Sequence, residues 1–202
     1  LAKRLDLDPL NIRLRNAVKE GSPFANDSFA RIGLVECLEA ARDSAHYRSK
    51  LKKHQGRAVA VGFWHNGGGT SSANIYMNSD GTVALSTGSI DLSGTRIALA
   101  MLSAEELGIS VEKIASVVSD TDAVGYADNS AGSRTLNATG KAVVAATREA
   151  ITEMKLRAAS GWNVAPHQVT WQDGEARNDV TGEFITFEQI CRDSQRTGGP
   201  NT

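Results

Sequence analysis

A run of small polar residues leads directly into the longest helix-like segment of this chain. Residues 129–135 are Asn-Ser-Ala-Gly-Ser-Arg-Thr, and apolar residues then recur at helical spacing from Leu136 to Ala159. A second junction, residues 91–95 (Asp-Leu-Ser-Gly-Thr), opens the helix-like run from Ile97 to Leu107. Each junction places small hydroxyls, a glycine and unpaired backbone N–H groups where the helix dipole favours an anion.

The residues alone leave two interpretations of these junctions open. An ordinary helix N-terminus requires a single Ser, Thr, Asp or Asn as its cap. The crowding of several small polar groups in residues 130–135 exceeds that requirement, and Gly132 permits close approach of the backbone. The sequence therefore predicts either an anion-binding site at these helix N-termini or simple capping.

Composition excludes several classes of partner and site. With a formal net charge of -1, the chain has no overall positive charge that would attract nucleic acid or a membrane surface. No apolar run approaches the ~20 residues of a membrane span. Cys37 and Cys191 are far apart, and His46, His54 and His167 lack partners at ligand spacing. We therefore expect no nucleic-acid or membrane partner, no metal ligands in this segment and a reducing, cytoplasmic location.

Changes of hydrophobic period predict an α+β fold, a mixed sheet with packed helices. A helical lead-in occupies residues 1–55. Its first helix is expected to begin at Pro9, with Asp8 as the N-cap, and to stop before Gly21, and its second spans about Ile32 to Lys52. An α+β lobe occupies residues 56–202. Its predicted strands are 58–64, 73–77, 83–85, 111–119, 168–171 and 182–185, and its last helix is 187–194. Residues 78–81 are expected to form a hairpin turn, Gly108 to be the C-cap of the helix that ends at Leu107, and 111–119 to be a buried strand. The small residues of the helix from Leu136 should allow it to pack closely against a neighbour.

Three further features have alternative interpretations. Gly67-Gly68-Gly69-Thr70 lacks the Gly-Lys-Ser/Thr of a phosphate loop, so a flexible hairpin loop is the favoured interpretation. Asp120, Asp122 and Asp128 lack the spacing of a calcium loop, and capping and turn chemistry explains them. His65 is either a catalytic group or a histidine at the end of a strand, and we favour the second interpretation.

The order of motifs along the chain resembles one enzyme family. Residues 8–16 fit the pattern D-P-x-x-x-R-x-x-N. Further matching segments follow in order: 33–38 (GLVECL), 104–109 (AEELGI), 120–122 (DTD), 132–135 (GSRT) and 140–143 (GKAV). On these residues the chain resembles the large, molybdenum-binding subunit of the xanthine dehydrogenase and aldehyde oxidase family, which includes aerobic carbon monoxide dehydrogenases and bacterial aromatic hydroxylases.

The resemblance implies one lobe of a molybdopterin-binding domain within an oxidoreductase that hydroxylates a carbon centre with oxygen from water. Its cofactor is a pterin dithiolene on molybdenum, often the cytosine dinucleotide form in bacteria. The implied cofactor contacts are Ser93, Gly94 and Thr95 in one junction and Ser130, Gly132, Ser133 and Thr135 in the other. The implied partners are the remainder of the large subunit, domains or subunits that carry FAD and two-iron, two-sulfur clusters, and a small-molecule substrate.

The chain departs from the family pattern in one junction. Many members have Asp-x-Gly-Gln-Gly there, whereas residues 91–95 are one residue shorter and contain no Gln. The family's catalytic glutamate and its substrate-binding Phe-Gly-Gly segment lie outside the stretch that this chain resembles. We therefore expect a partial chain without catalytic residues of its own, inactive in isolation.

Two other functions remain as alternatives. The first is a non-enzymatic module that binds a nucleotide or another phosphorylated ligand through the same helix N-termini. The second is a structural lobe whose small-residue turns only cap helices. Flanking sequence with a downstream Gly-x-x-Glu and an upstream Phe-Gly-Gly would favour the enzyme.

Overall fold

The computed structural model describes residues 1–64, 66–118 and 120–194. The chain divides into two compact units, residues 1–63 and 64–202. His65, the end of the predicted strand at Ser119 and the last eight residues lie outside the described residues.

The first unit begins with a helix that the sequence marks clearly. Helix α1 spans Pro9–Asn16, and the Asp8 carboxylate accepts hydrogen bonds from the amides of Leu10 (2.8 Å) and Asn11 (3.0 Å). It ends at Ala17, four residues before the glycine expected to stop it. A two-residue hairpin follows, with β1 at Pro23–Phe24 and β2 at Asp27–Ser28.

The single helix predicted for residues 32–52 is two shorter helices. Helix α2 spans Leu34–Asp43 and α3 spans Ala45–Arg48. Ser44 separates them because its backbone is extended (φ -63°, ψ 143°), and its hydroxyl accepts a hydrogen bond from the amide of Tyr47. Ser44 therefore caps α3 and at the same time interrupts the single helix predicted for residues 32–52.

The predicted strand at residues 58–64 does not form in the described structure. Val61, Phe63 and Trp64 are 50, 66 and 76% exposed, and the segment joins no described sheet. The carbonyl of Val59 instead accepts a hydrogen bond from Arg13 at 2.6 Å. Apolar alternation favours a strand only where a neighbouring strand completes the hydrogen-bond ladder.

The first sheet of the second unit has the order β3-β4-β5. Strands β3 (Ala73–Met77) and β4 (Val83–Thr87) form the predicted antiparallel hairpin around Gly81. Strand β5 (Ile114–Val118) follows a 3₁₀ turn and pairs with β4 in parallel. Only Ile114 of β5 is buried, so the predicted buried strand is an edge strand, shorter and more exposed than expected.

Two parallel helices cover this sheet. Helix α4 spans Thr95–Leu107 and connects β4 to β5, and α5 spans Thr135–Trp162 and follows β5. They run in the same direction, because Leu102 lies opposite Gly140 and Glu106 pairs with Arg148 through two 2.7 Å hydrogen bonds. The small residues of α5 allow the close packing predicted for it.

A second sheet and a last helix complete the unit. It is antiparallel, with β6 (Val169–Gln172), β7 (Glu175–Asn178) and β8 (Phe184–Thr186), and α6 (Phe187–Asp193) follows it directly. One hydrophobic core runs through α4, α5, α6 and both sheets. Among the described helices, none combines the length and the apolar character needed to cross a membrane.

The core predicts a large difference between two leucine truncations. Leu85 on β4 is completely buried, whereas Leu156 on α5 is 39% exposed. We expect Leu85→Ala to lower the free energy of unfolding by about 2–5 kcal/mol because it leaves a cavity. Leu156→Ala should cost much less in the same urea titration. Equal losses would contradict this assignment of the core.

Candidate functional site

The two junctions singled out by the sequence lie at the same end of the second unit. Strands β4 and β5 are parallel, and their carboxyl ends lead into the loops that precede α4 and α5. Because the two helices also run parallel, their N-termini face the same edge. The carboxyl edge of parallel strands is where open α/β sheets bind ligands.

Both junctions have the same backbone conformation. Ser93 and Gly94 have φ of 58° and 83°, and Gly132 and Ser133 both have φ of 57°. In each junction the residue that follows this pair, Thr95 or Arg134, has the right-handed helical conformation. Successions of this kind turn neighbouring N–H groups toward one side in the anion-binding concavities of other proteins.

The two helix N-termini differ in how their N–H groups are satisfied. At α4, the Asp91 carboxylate accepts a hydrogen bond from the amide of Arg96 at 3.2 Å. At α5, no side chain of the described residues caps the first turn. By contrast, Thr186 caps α6 by accepting from the amide of Gln189. The N-terminus of α5 is therefore the more available of the two for an external anion.

The seven sequence-predicted contacts divide into exposed and buried groups. The exposed ones are Ser93, Gly94, Ser130, Gly132 and Ser133, and the buried ones are Thr95 and Thr135. Thr95 donates its hydroxyl to the carbonyl of Leu92 at 2.9 Å, and Thr135 donates to the hydroxyl of Ser130 at 2.8 Å. The threonines thus shape the turns, whereas the exposed residues are available to a ligand.

A buried arginine determines the shape of the α5 junction. Arg134 is only 4% exposed, and its guanidinium points away from solvent into the preceding loops. It donates five hydrogen bonds, to the carbonyls of Gly68 (2.5 Å), Thr70 (2.7 Å), Asp128 (2.8 Å) and Asn129 (3.4 Å) and to Ser71 Oγ (2.9 Å). Such charge-assisted hydrogen bonds are stronger than neutral ones.

The glycine-rich segment is part of this site, so its interpretation as a flexible hairpin loop is wrong. Gly67 donates its amide to the carbonyl of Gly132 at 2.8 Å, and Asn66 Nδ2 donates to the carbonyl of Ser133 at 2.9 Å. A Cβ on Gly132 would lie 3.2 Å from Gly67 Cα. Glycine is required because two backbones meet here.

Asp128 has a long-range role that local turn chemistry did not predict. Its carboxylate accepts hydrogen bonds from Tyr126 Oη at 2.5 Å and from the amide of Thr70 at 2.7 Å. The hydrogen bond from Tyr126, then that from Thr70 and the charge of Arg134, lower the pKa of Asp128. Asp120 behaves as expected, since it accepts from the amide of Asp122 in a local turn.

Sequence reasoning missed the framework of the site. Asn66, Asp128 and Arg134 hold the glycine-rich segment against the α5 junction. Of these three, only Arg134 lies within residues 129–135. Its burial was not expected, because arginine is rarely buried. No local sequence signal pairs the Gly-Gly-Gly run with Arg134, because 66 positions separate Gly68 from that arginine. The described residues contain no cluster of His, Cys, Asp and Glu suited to a metal ion.

The motif at residues 8–16 has an architectural role in the first unit. Asp8 caps α1 and accepts from Tyr47 Oη at 2.7 Å, and Arg13 binds the carbonyl of Val59. Partial burial opposes ionisation of Asp8, but the hydrogen bonds from Tyr47 and the α1 amides lower its pKa. Asn16 donates to the carbonyl of Ile12 one turn earlier.

Comparison with known proteins gives a consistent family. A family model described as molybdopterin cofactor-binding domain matches residues 32–201. The xanthine dehydrogenase molybdenum-binding subunit of Escherichia coli O157:H7 is 30% identical over 150 residues, 66% of this chain and 20% of that protein. The aldehyde oxidoreductase molybdenum-binding subunit PaoC of Escherichia coli K12 is 28% identical over 190 residues, 88% of this chain and 25% of that protein.

Solved structures show the same fold. Quinoline 2-oxidoreductase from Pseudomonas putida 86 matches all of this chain and 29% of its own, with a TM-score of 0.75 at 16% identity. CO dehydrogenase from Oligotropha carboxidovorans matches 66% of this chain and 17% of its own, with a TM-score of 0.61 at 25% identity. The chain spans about a fifth to a quarter of the length of the curated relatives it matches.

The role of Arg134 can be tested by comparison with Arg148, which lies within helix α5. Arg134→Gln removes the charge and leaves buried carbonyls without partners, at a cost of about 2–4 kcal/mol. Arg148→Gln breaks an exposed ion pair with Glu106 and should leave stability near that of the unmodified chain. Urea denaturation measures both, and Arg134→Gln should also expose the segment 66–71 to proteases. Equal sensitivity of the two variants would contradict the assigned role.

Asp128 predicts a pH-dependent contribution to stability. Its folded-state pKa lies below the unfolded value of about 3.9, so the carboxylate stabilises the fold above that pH. This contribution is lost as the pH falls through the folded-state pKa. Asp128→Asn should therefore lower the urea midpoint at pH 7, and the difference from the unmodified protein should shrink below about pH 4. A difference that stays constant down to pH 2 would refute this.

Proposed function

The chain belongs to the family of molybdopterin cofactor-binding domains, and on that premise we propose that its two helix N-termini bind the pterin and phosphate part of the cofactor. Gly132 and Ser133 offer backbone N–H groups, and Ser130 adds a hydroxyl at the same junction. Ser93 and Gly94 form the second contact. Thr95 and Thr135 support the two turns from within.

One observation supports this assignment most. The α5 junction exposes Ser130, Gly132 and Ser133, has two consecutive residues of positive φ and has no cap from any side chain of the described residues. A polar helix end without a cap is satisfied by water or by a ligand. A phosphate group suits it, because the helix dipole and convergent N–H groups both favour negative charge.

The residues at the site fit a pterin phosphate in their chemistry. The donors are neutral amides and hydroxyls, and the one arginine of the α5 junction points inward to carbonyls. Binding then depends on shape and on dipoles that are already oriented, which require no rearrangement when the ligand arrives. When bound, the cofactor would supply the redox chemistry of molybdenum. This chain's residues would bind and orient its phosphate end.

We place this site within a larger oxidoreductase that hydroxylates a carbon centre of a small molecule. The matched stretches cover only 20 to 25% of the relatives named as molybdenum-binding subunits, which supports further domains beside this one. We propose that those domains supply the catalytic base and the substrate pocket. FAD and two-iron, two-sulfur clusters would lie on other domains or subunits, in a cytoplasmic complex. The boundary between residues 55 and 56 stays a prediction.

A pair of glycine substitutions tests the site. Gly132→Ala and Gly182→Ala both place an L residue at positive φ, which costs about 1–2 kcal/mol in each case. Only at Gly132 would the new Cβ press on the glycine-rich segment, since no described atom lies within 4 Å of a Cβ at Gly182. In the full-length enzyme, made with its partner subunits and molybdate, we expect molybdenum and released cytidine nucleotide per subunit to fall about tenfold for Gly132→Ala, the ratio produced by ~1.4 kcal/mol.

The outcomes separate the function from the site. Preparations of the unmodified enzyme that contain neither molybdenum nor pterin would overturn the proposed function, and a bound nucleotide without metal would favour the non-enzymatic module. If both variants retain molybdenum and cofactor at the level of the unmodified enzyme, the assignment of a cofactor contact to Gly132 is wrong, while the proposed function still stands.

A further inference from the structure

A network of side-chain hydrogen bonds, centred on the buried Thr139, connects the segments that lead into the two helix N-termini. Thr139, one turn into α5, is completely buried, and its hydroxyl lies 2.6 Å from Ser89 Oγ and 3.0 Å from Ser71 Oγ. Ser71 Oγ in turn accepts a hydrogen bond from Arg134 at 2.9 Å. Ser89 is 5% exposed and belongs to the loop that leads from β4 into α4.

This hydrogen-bond network links the α5 junction to the loop that precedes α4. Arg134 fixes the glycine-rich segment and the α5 junction, and Ser89 lies four residues before Ser93 of the α4 junction. The Thr139 hydroxyl contacts both sides. Because Thr139 and Ser89 are buried, loss of the Thr139 hydroxyl would leave the Ser89 hydroxyl without that partner in a low-dielectric interior, and the partly buried Ser71 would lose one of its partners.

We propose that Thr139 is a positioning residue that fixes the separation of the two helix N-termini, so that both can contact one cofactor. This inference rests on the proposed function, since it takes the two N-termini as halves of one site. Thr139 itself is buried beneath the surface that a ligand would contact. Its effect on binding would pass through Ser89 to the α4 loop and through Ser71 to the glycine-rich segment.

Thr147 offers a matched control on the same helix. It is also completely buried, and its hydroxyl donates to the carbonyl of Val143 at 2.8 Å and lies 3.1 Å from Ser103 Oγ. Like Thr139, it connects α5 to a neighbouring segment through a buried serine. It lies two turns further from the junctions, so it should affect stability without affecting the site.

The experiment uses the full-length enzyme, purified with its partner subunits after expression with molybdate. The variants are Thr139→Val, Thr139→Ser and Thr147→Val, and the measurement is the rate at which molybdenum and cytidine nucleotide leave the protein at fixed temperature. We expect loss to be about tenfold faster for Thr139→Val, the effect of one buried hydrogen bond, and within about twofold of the unmodified rate for the other two. Thermal unfolding of each variant reports the purely structural cost.

Each outcome decides the inference. Equal release rates for Thr139→Val and Thr147→Val, or failure of Thr139→Ser to restore retention, would overturn the positioning role even if the unmodified enzyme is fully loaded. An unmodified enzyme without cofactor would overturn the proposed function and this inference with it. If Thr139→Val does not fold, Ser89→Ala removes the link to the α4 loop alone. Faster release from Ser89→Ala then supports the proposal, and unchanged release contradicts it.

Discussion

The site depends on the burial of one guanidinium group. Arg134 gives up hydration for five hydrogen bonds, four of them to backbone carbonyls of two loops that are distant in sequence. Without that charge the carbonyls of Gly68 and Thr70 would need other donors, because a buried polar group without a partner is costly. The conformations of the glycine-rich segment and of the α5 junction therefore depend on each other.

The parallel arrangement of α4 and α5 places the second half of the site. An antiparallel pair of helices would put their N-termini at opposite ends, whereas the βαβ connection from β4 through α4 to β5 puts both at the carboxyl edge of the sheet. Close approach of the helices is possible because Gly140 faces Leu102; a Cβ there would come within 2.9 Å of a leucine methyl. Small residues in α5 thus contribute to function through helix separation.

Sequence reasoning predicted what depends on local chemistry and missed what depends on distant contacts. The N-cap at Asp8, the hairpin turn at Gly81, the C-cap at Gly108 and the two helix N-termini all follow from residue types at fixed offsets, and the structure contains each of them. The α+β fold and the family were also predicted, and both are confirmed. The break at Ser44 was missed because a helical apolar pattern continues across it.

The sequence located the two helix termini that form the candidate site, but it did not predict the contacts that hold them in place. Helix termini can be located from spacing, whereas the burial of Arg134 and the contacts of Asp128 require two segments some sixty positions apart to meet. The strand expected at residues 58–64 failed for a related reason: alternation describes one strand, and a strand requires a neighbour. The individual contacts of the seven predicted site residues with a cofactor stay predictions.

The sequence separation within the site also determines when it can form. Arg134 bonds to Gly68 and Thr70 across 66 and 64 positions, and the bond from Asn66 to Ser133 crosses 67. The entropy of loop closure must be lost before such non-local contacts stabilise the chain, so they slow folding relative to local contacts. During synthesis, the glycine-rich segment must wait until β3, β4, α4 and β5 have left the ribosome before its partners exist. A ligand that requires this surface would consequently recognise only molecules whose assembly is complete.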